Sequence, residues 1–187
     1  MLTMKLDKAI QNRHSVRRFT SKKPDWRDII ECIDSVRYAP MAGNIFSLKF
    51  IVISDKEKIQ KLADAAQQYF ITQAQYVVVV CTNPLRTINS YEEQGKKYCR
   101  QQAGAAMQNF LLKIQETKLA TCWIGHFVEE QVKRALQIPE NINVEAIFPI
   151  GYEYGKTENK RKIDFNQILY FNKYGNKKMN KIKTLDV

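Results

Sequence analysis

Histidine is nearly absent from this chain: His14 and His126 are its only two among 187 residues. Its four cysteines, Cys32, Cys81, Cys99 and Cys122, stand far apart and form no Cys-x-x-Cys pair. A zinc centre of the usual spacing cannot be assembled from these residues, and a disulfide framework is not expected. Each cysteine sits among apolar neighbours, as a reduced core residue does. No Gly-x-Ser-x-Gly elbow occurs, which removes the common sequence ground for a serine hydrolase. No Gly-x-Gly-x-x-Gly follows a strand, so a Rossmann dinucleotide site is not expected. No apolar run approaches the ~18 residues that span a bilayer. The first residues carry no long apolar region of signal-peptide type, and the cytoplasm is the expected compartment.

What is present suits one globular domain covering residues 1–187, with a hydrophobic content of 44%, enough for a real core. The net charge is +11, and residues 156–187 carry nine Lys/Arg against three acids. That balance favours an anionic partner, either nucleic acid or a phosphorylated small molecule, although lysine richness also serves solubility. The densest basic stretch is Arg13-His14-Ser15-Val16-Arg17-Arg18. Extended to Lys22 and Lys23, it holds six basic or potentially basic side chains and no acid. Guanidiniums with short polar donors between them suit a phosphate, because an Arg fork bonds two oxygens with charge assistance. A merely solvated basic face is the simpler alternative.

Taken in order, Leu2, Leu6 and Ile10 predict one face of a short helix ending near Asn12. Asp25 caps a second helix, with Asp28 in its first turn and Ile29, Ile30, Ile33 and Val36 as its buried stripe. Ala39-Pro40-Met41-Ala42-Gly43-Asn44 reads as a loop. It leads to a strand over residues 48–53. Ser54 or Asp55 then caps a helix that buries Ile59, Leu62, Ala63 and Ala66. Tyr76-Val77-Val78-Val79-Val80-Cys81 reads as a central strand covered on both faces. Residues 83–97 are polar, suiting a mobile helix or flap, and residues 96–117 form the long core helix. A glycine-broken apolar segment, Thr121-Cys122-Trp123-Ile124-Gly125-His126-Phe127, precedes a helix stopped by Pro139 and a strand over residues 144–152. Phe165, Ile168, Leu169 and Phe171 lie in a tail too polar for a core of its own, which must pack on this domain or on a second copy. The expected fold is α+β: a mixed, largely antiparallel central sheet with helices on both faces.

Six motifs stand in a recognisable order: Arg13-His14-Ser15-Val16-Arg17; Ala39-Pro40-x-x-x-Asn44; Ala105-Ala106-Met107-Gln108-Asn109; Thr121-Cys122-Trp123-Ile124-Gly125; Ile150-Gly151-Tyr152; and Lys160-Arg161-Lys162. Over nearly the whole chain the sequence resembles the FMN-dependent nitroreductase family. The resemblance implies a homodimer with FMN at the subunit interface and an exchanged C-terminal segment. It implies that Arg13 and Arg17, with His14 and Ser15 between them, grip the flavin, and that Arg161, with Lys160 beside it, reaches the phosphate from the tail. By the same resemblance Pro40, Met41, Ala42 and Asn44 meet the flavin of the other subunit. Gln67 reads its pyrimidine edge, and Ile124 and Gly125 bring backbone near N5. The activity implied is ping-pong transfer of electrons from NADH or NADPH, through flavin N5, to a nitroaromatic, a quinone or another flavin, with no side chain as nucleophile.

The chain departs from the family pattern at Met41, where a small serine is common, and at Ile45-Phe46-Ser47-Leu48, where many relatives have Gln-Pro-Trp. Gln102 replaces a frequent acid, and Lys118 a frequent glycine. These changes bear on the pocket's shape and leave the phosphate ligands in place. His126 is read as touching the ring or donating a proton, or as structural, with the balance toward the structural role. Two other functions stay open: a flavoprotein with different chemistry, such as dehalogenation or consumption of the flavin itself, and a basic nucleic-acid-binding module. The last would lose affinity steeply with salt.

Overall fold

Hydrophobic alternation and helix caps set the order of elements in the computed structural model, which describes residues 5–157 and 161–179. The order begins with helix α1 (Leu6–Asn12), helix α2 (Trp26–Asp34) and strand β1 (Leu48–Ile53). Helix α3 (Lys56–Ala66), strand β2 (Tyr76–Thr82), helix α4 (Leu85–Gln115) and the short strand β3 (Ala120–Thr121) follow. Helix α5 (Glu129–Leu136) and strand β4 (Asn143–Gly151) complete the larger of two compact units, which divide after Thr157.

The four strands are ordered β1-β2-β4-β3, and every pairing is antiparallel. The largely antiparallel sheet expected from the sequence is present, and no parallel pair exists among the described strands. All seven residues of β2 are buried. Tyr76, Val78 and Val80 enter a cluster with Ile29, Cys32, Phe110 and Phe148 on the side of α2 and α4. Val77, Val79 and Cys81 enter a second cluster with Ile59, Leu62, Val132 and Ile147 on the side of α3 and α5. That double coverage explains the unbroken β-branched run. Each fully buried valine contributes roughly 1.5–3 kcal/mol relative to exposure.

Local rules place the helix starts. Asp25 accepts a hydrogen bond from the Arg27 amide at 2.9 Å, and Asp55 accepts one from the Lys58 amide at 2.9 Å, so both capping acids act as their sequence positions require. Two expected faces differ. Ile30 is 45% exposed, since Cys32 rather than Ile30 completes the inner stripe of α2. Leu6 and Ile10 are 65% and 51% exposed, and Ala9 is the buried residue of α1.

The polar stretch 83–97 is not separate from the core helix. Both belong to α4, which is helical on either side of Glu92, where φ 50° and ψ −134° break the helix. The first arm folds back on the second: the Cys99 thiol lies 3.5 Å from the Thr87 hydroxyl, and Tyr91 meets Tyr98 edge-on at 5.3 Å. Only a glycine fits at position 95, because a Cβ there would sit 2.4 Å from the Thr87 carbonyl oxygen.

The smaller unit carries a short 3-10 turn, Phe165–Gln167, capped by Asp164. Asn176 donates to the carbonyls of Phe171 and Lys178 at 2.9 Å each, and Lys177 donates to those of Asn166 and Leu169. Phe165 and Ile168 are exposed, and Leu169 and Phe171 are half-buried.

Candidate functional site

The basic stretch becomes an extended arm laid along the end of β3. The Val16 amide donates to the Thr121 carbonyl at 2.9 Å, and Val16 itself is buried. Further on, Phe19 bridges to Glu153, the Thr20 amide donates to the Tyr152 carbonyl, and the Tyr154 amide donates to the Arg18 carbonyl. The arm is therefore fixed by backbone hydrogen bonds on both sides of Arg17, and alternation sends its cations in different directions. Arg18 lies 4.8 Å from the Tyr154 ring, Lys22 5.1 Å from the Tyr152 ring and Lys23 5.2 Å from the Tyr76 ring. Only the first part of the run stays together.

That part gathers at Cys122. Burial pushes the Cys122 thiol up, opposed in turn by the Arg17 charge, the Ser15 side chain and the Arg13 charge. Arg13, Ser15 and Arg17 thus all lie in the neighbourhood of Cys122. Neither arginine has an ion-pair partner among the described residues. Two unneutralised guanidiniums and a hydroxyl at one place match the donor set of a phosphate.

His14 points elsewhere. Its Nδ1 lies 2.7 Å from the Asn12 carbonyl oxygen, and its Nε2 lies 3.2 and 3.3 Å from the two Glu153 carboxylate oxygens. Both ring nitrogens face protein oxygens, so the ring is engaged by the protein and the backbone of His14 is what remains for a ligand. Glu153 also accepts from the Thr157 amide at 3.0 Å and from its hydroxyl. Burial alone would raise the Glu153 carboxyl; the Thr157 hydroxyl and His14 outweigh it, and its pKa lies below the ordinary carboxylate value.

From Thr121 the chain continues through the same site. Ile124 is buried and exchanges both backbone hydrogen bonds with Ile147 at 3.0 Å. Gly125 follows with open space above it: a Cβ there would meet only the Trp123 indole nitrogen, at 3.7 Å. The Val128 amide then donates to the Ala65 carbonyl at 2.9 Å, which ties this segment to the end of α3. Gln67 caps that helix in the left-handed conformation (φ 53°) with an exposed side chain. Backbone hydrogen bonds therefore link the arm of Arg13, Ser15 and Arg17, the segment of Ile124 and Gly125, and the end of α3 before Gln67 into one arc of main chain. His126 is exposed beside it.

The loop with Pro40, Met41, Ala42 and Asn44 is not part of that arc within one chain. It enters β1 at Leu48, which pairs with Thr82, whereas Thr121 pairs with Ile150 at the level of Tyr76. Three strand spacings and six residues of strand separate those corners, roughly 25 Å. Gly43 (φ 57°) and Asn44 (φ 55°) both adopt the left-handed conformation. Gln102, buried at 4% exposure, pins the loop's exit: its Oε1 accepts from the Ser47 amide at 2.9 Å and hydroxyl at 2.6 Å, and its Nε2 donates to the Ile45 carbonyl at 3.1 Å. Lys160 lies outside the described residues; Arg161 is exposed in the smaller unit.

The Nitroreductase family model matches residues 10–68 and 64–152, which takes in the arm, the left-handed loop and the arc. The chain belongs to the nitroreductase family. A relative from Archaeoglobus fulgidus, provisionally named NADH dehydrogenase/NAD(P)H nitroreductase, is 29% identical over 150 residues, covering 78% of this chain and 83% of its own. An iodotyrosine deiodinase from Thermotoga neapolitana is 21% identical over 168 residues, 76% and 85% of the two chains. The solved NADPH:FMN oxidoreductase of Vibrio harveyi, complexed with NAD+, superposes with a TM-score of 0.81 over 94% of this chain and 79% of that one. At 21% identity that likeness is one of fold.

Within this nitroreductase-family fold, three participants were not legible in advance. Glu153 holds His14, Cys122 marks where the arginines meet, and Tyr91 stands against Gly43. The first two come together only through the pairing of the arm with β3 and the end of β4. Gln102 was visible only as a departure from the family pattern, and its burial beside the loop gives it a purpose.

Proposed function

We propose that this protein is an FMN-dependent oxidoreductase that takes electrons from NADH or NADPH and passes them to a nitroaromatic, quinone or flavin-type acceptor. The observation that carries the reading is the pair of guanidiniums, Arg13 and Arg17. With Ser15 they lie in the neighbourhood of Cys122, without a counter-charge among the described residues, on the segment that leads to the uncovered Gly125 backbone. FMN, when bound, supplies the redox chemistry. The chain's own residues bind and orient. Arg13, Arg17 and the Ser15 hydroxyl hold the phosphate, with Lys160 and Arg161 of the tail adding charge. The Gln67 amide addresses the pyrimidine edge, the Ile124 and Gly125 backbone lies near the reactive edge of the ring, and His14 contributes through its backbone.

The working unit in this reading is a homodimer with exchanged tails, in which Pro40, Met41, Ala42 and Asn44 serve the flavin of the other copy. The distance between the two corners of the sheet supports that arrangement, as do the exposed Leu6, Ile10, Trp26 and Ile30. No helix among the described residues is long and apolar enough to cross a membrane. The match to an iodotyrosine deiodinase favours a second reading, reductive dehalogenation at the same site. Reduction by a nicotinamide, followed by only slow reoxidation across a panel of nitroaromatics and quinones, would select it. The divergence of Arg18, Lys22 and Lys23 onto separate tyrosine rings counts against a nucleic-acid stripe.

The test is the Arg13→Ala, Arg161→Ala double variant. Hydrogen bonds to charged groups contribute roughly 1.5–3 kcal/mol each, so FMN affinity is expected to fall by about 100-fold or more. Far-UV circular dichroism should be unchanged and the visible flavin absorbance lost. A double variant that keeps stoichiometric flavin overturns the phosphate assignment.

A further inference from the structure

The flap tip and the left-handed loop meet at Tyr91 and Gly43. Tyr91 stands immediately before the break at Glu92, and its hydroxyl points at the α-carbon of Gly43. A Cβ built on Gly43 would lie 2.5 Å from the Tyr91 hydroxyl oxygen and 3.4 Å from the nearest ring carbons. The ring is held on its other side by Tyr98, edge-on at 5.3 Å, and the arm that carries it is clamped by the close approach at Gly95. Gln102, further along α4, fixes the same loop at Ile45 and Ser47. One helix thus grips the loop at two points, one on each side of Asn44.

We infer that Tyr91 is a positioning residue for the flavin site: its ring holds Gly43 and Asn44 in their left-handed conformations, so that flap and loop present one rigid surface to the cofactor. The inference rests on the reading that this loop meets FMN. Tyr91 touches neither flavin nor substrate in this scheme; it acts through Gly43. Because the phenolic oxygen alone occupies the space of a Cβ, the contact has a specific chemical signature. Gly43→Ala collides with a hydroxyl that Tyr91→Phe removes, while the ring carbons would remain at ordinary contact distance. What then persists is the left-handed backbone penalty of alanine, a factor of roughly five to thirty.

The experiment reconstitutes the full-length protein and its variants with FMN, measures Kd by fluorescence quenching, and determines KM and kcat for a quinone at saturating NADH. Melting temperatures of the flavin-free proteins are recorded in parallel. Tyr91→Ala is expected to weaken FMN about tenfold and to raise the quinone KM more than it lowers kcat. Tyr91→Phe should stay within about twofold of wild type. Gly43→Ala should weaken FMN by more than 50-fold, and Gly43→Ala with Tyr91→Phe should recover the part of that loss due to the collision, leaving only the left-handed penalty of roughly five- to thirtyfold. Wild-type affinity and KM in Tyr91→Ala, or a double variant no better than Gly43→Ala alone, overturns the inference. A wild-type chain that binds no FMN sinks the flavin reading and the positioning role with it. A wild-type chain that binds FMN while rescue appears only in the melting temperatures overturns the positioning role alone.

Discussion

Glu92 sits in strained backbone. With φ 50° and ψ −134° it occupies backbone space that glycine reaches freely and a branched side chain does not. Non-glycine residues held in such regions store about 1–3 kcal/mol. Glu92→Gly is therefore expected to stabilise the protein by about 1 kcal/mol after glycine's own entropic cost, a Tm rise of roughly 2–4 °C in a scanning melt. Glu153 offers a test in pH. Its carboxyl is lowered in the folded state, so the stability it contributes is fully present above the ordinary carboxylate range and is lost as pH falls through its own lower pKa. Glu153→Gln should be less stable than wild type at neutral pH, by less than about 1 kcal/mol for a group this accessible. The gap should close in acid, as denaturant melts at stepped pH would register. Single residues were legible in the sequence where their partners are local. Asp25 and Asp55 bond amides two and three residues away, and both caps fall where the pattern put them. The engagement of the His14 ring by Glu153 was not legible, because Glu153 is distant in sequence and reaches it only through the folding of the arm.

Among the elements, the strands were the plainest in the sequence. The limits of β1 coincide with the apolar run, and β2 extends the valine run by only one residue, Thr82, whose buried hydroxyl donates to Glu145. The sheet's pairing sense was harder to read, since runs of valine suit parallel and antiparallel neighbours alike. The flap was legible as polar but neither as part of α4 nor as a hairpin: no proline, glycine or asparagine stands at the reversal at Glu92, and the glycine that permits it lies three residues later. Gly95→Ala places a Cβ against Thr87 and Ile88 backbone atoms at 2.4–2.7 Å, none of which can rotate away. The expected loss is about 1–3 kcal/mol by urea denaturation, as for other overpacked sites. Its flavin-free melt should fall with that loss, since the hairpin precedes any ligand.

For the whole molecule, the family resemblance supplied the proposed ligand set, and the fold divides it. Arg13, Arg17, Ile124, Gly125 and Gln67 belong to one corner of the sheet; Pro40, Met41, Ala42 and Asn44 belong to the opposite one. Sequence order gives no hint of this, because the 40–44 loop stands between Arg17 and Gln67 along the chain. Only the strand order β1-β2-β4-β3 separates them. Such a separation makes the protein a candidate for allelic rescue. An Arg13→Ala chain keeps a sound loop, and a Gly43→Ala chain keeps a sound arm, so each is defective alone yet complementary to the other. Co-refolding equal amounts should create hybrid pairs with one competent cleft apiece, restoring flavin to about a quarter of all clefts if partners are drawn at random. A mixture as colourless as its two parents would mean that each polypeptide furnishes its own cleft unaided.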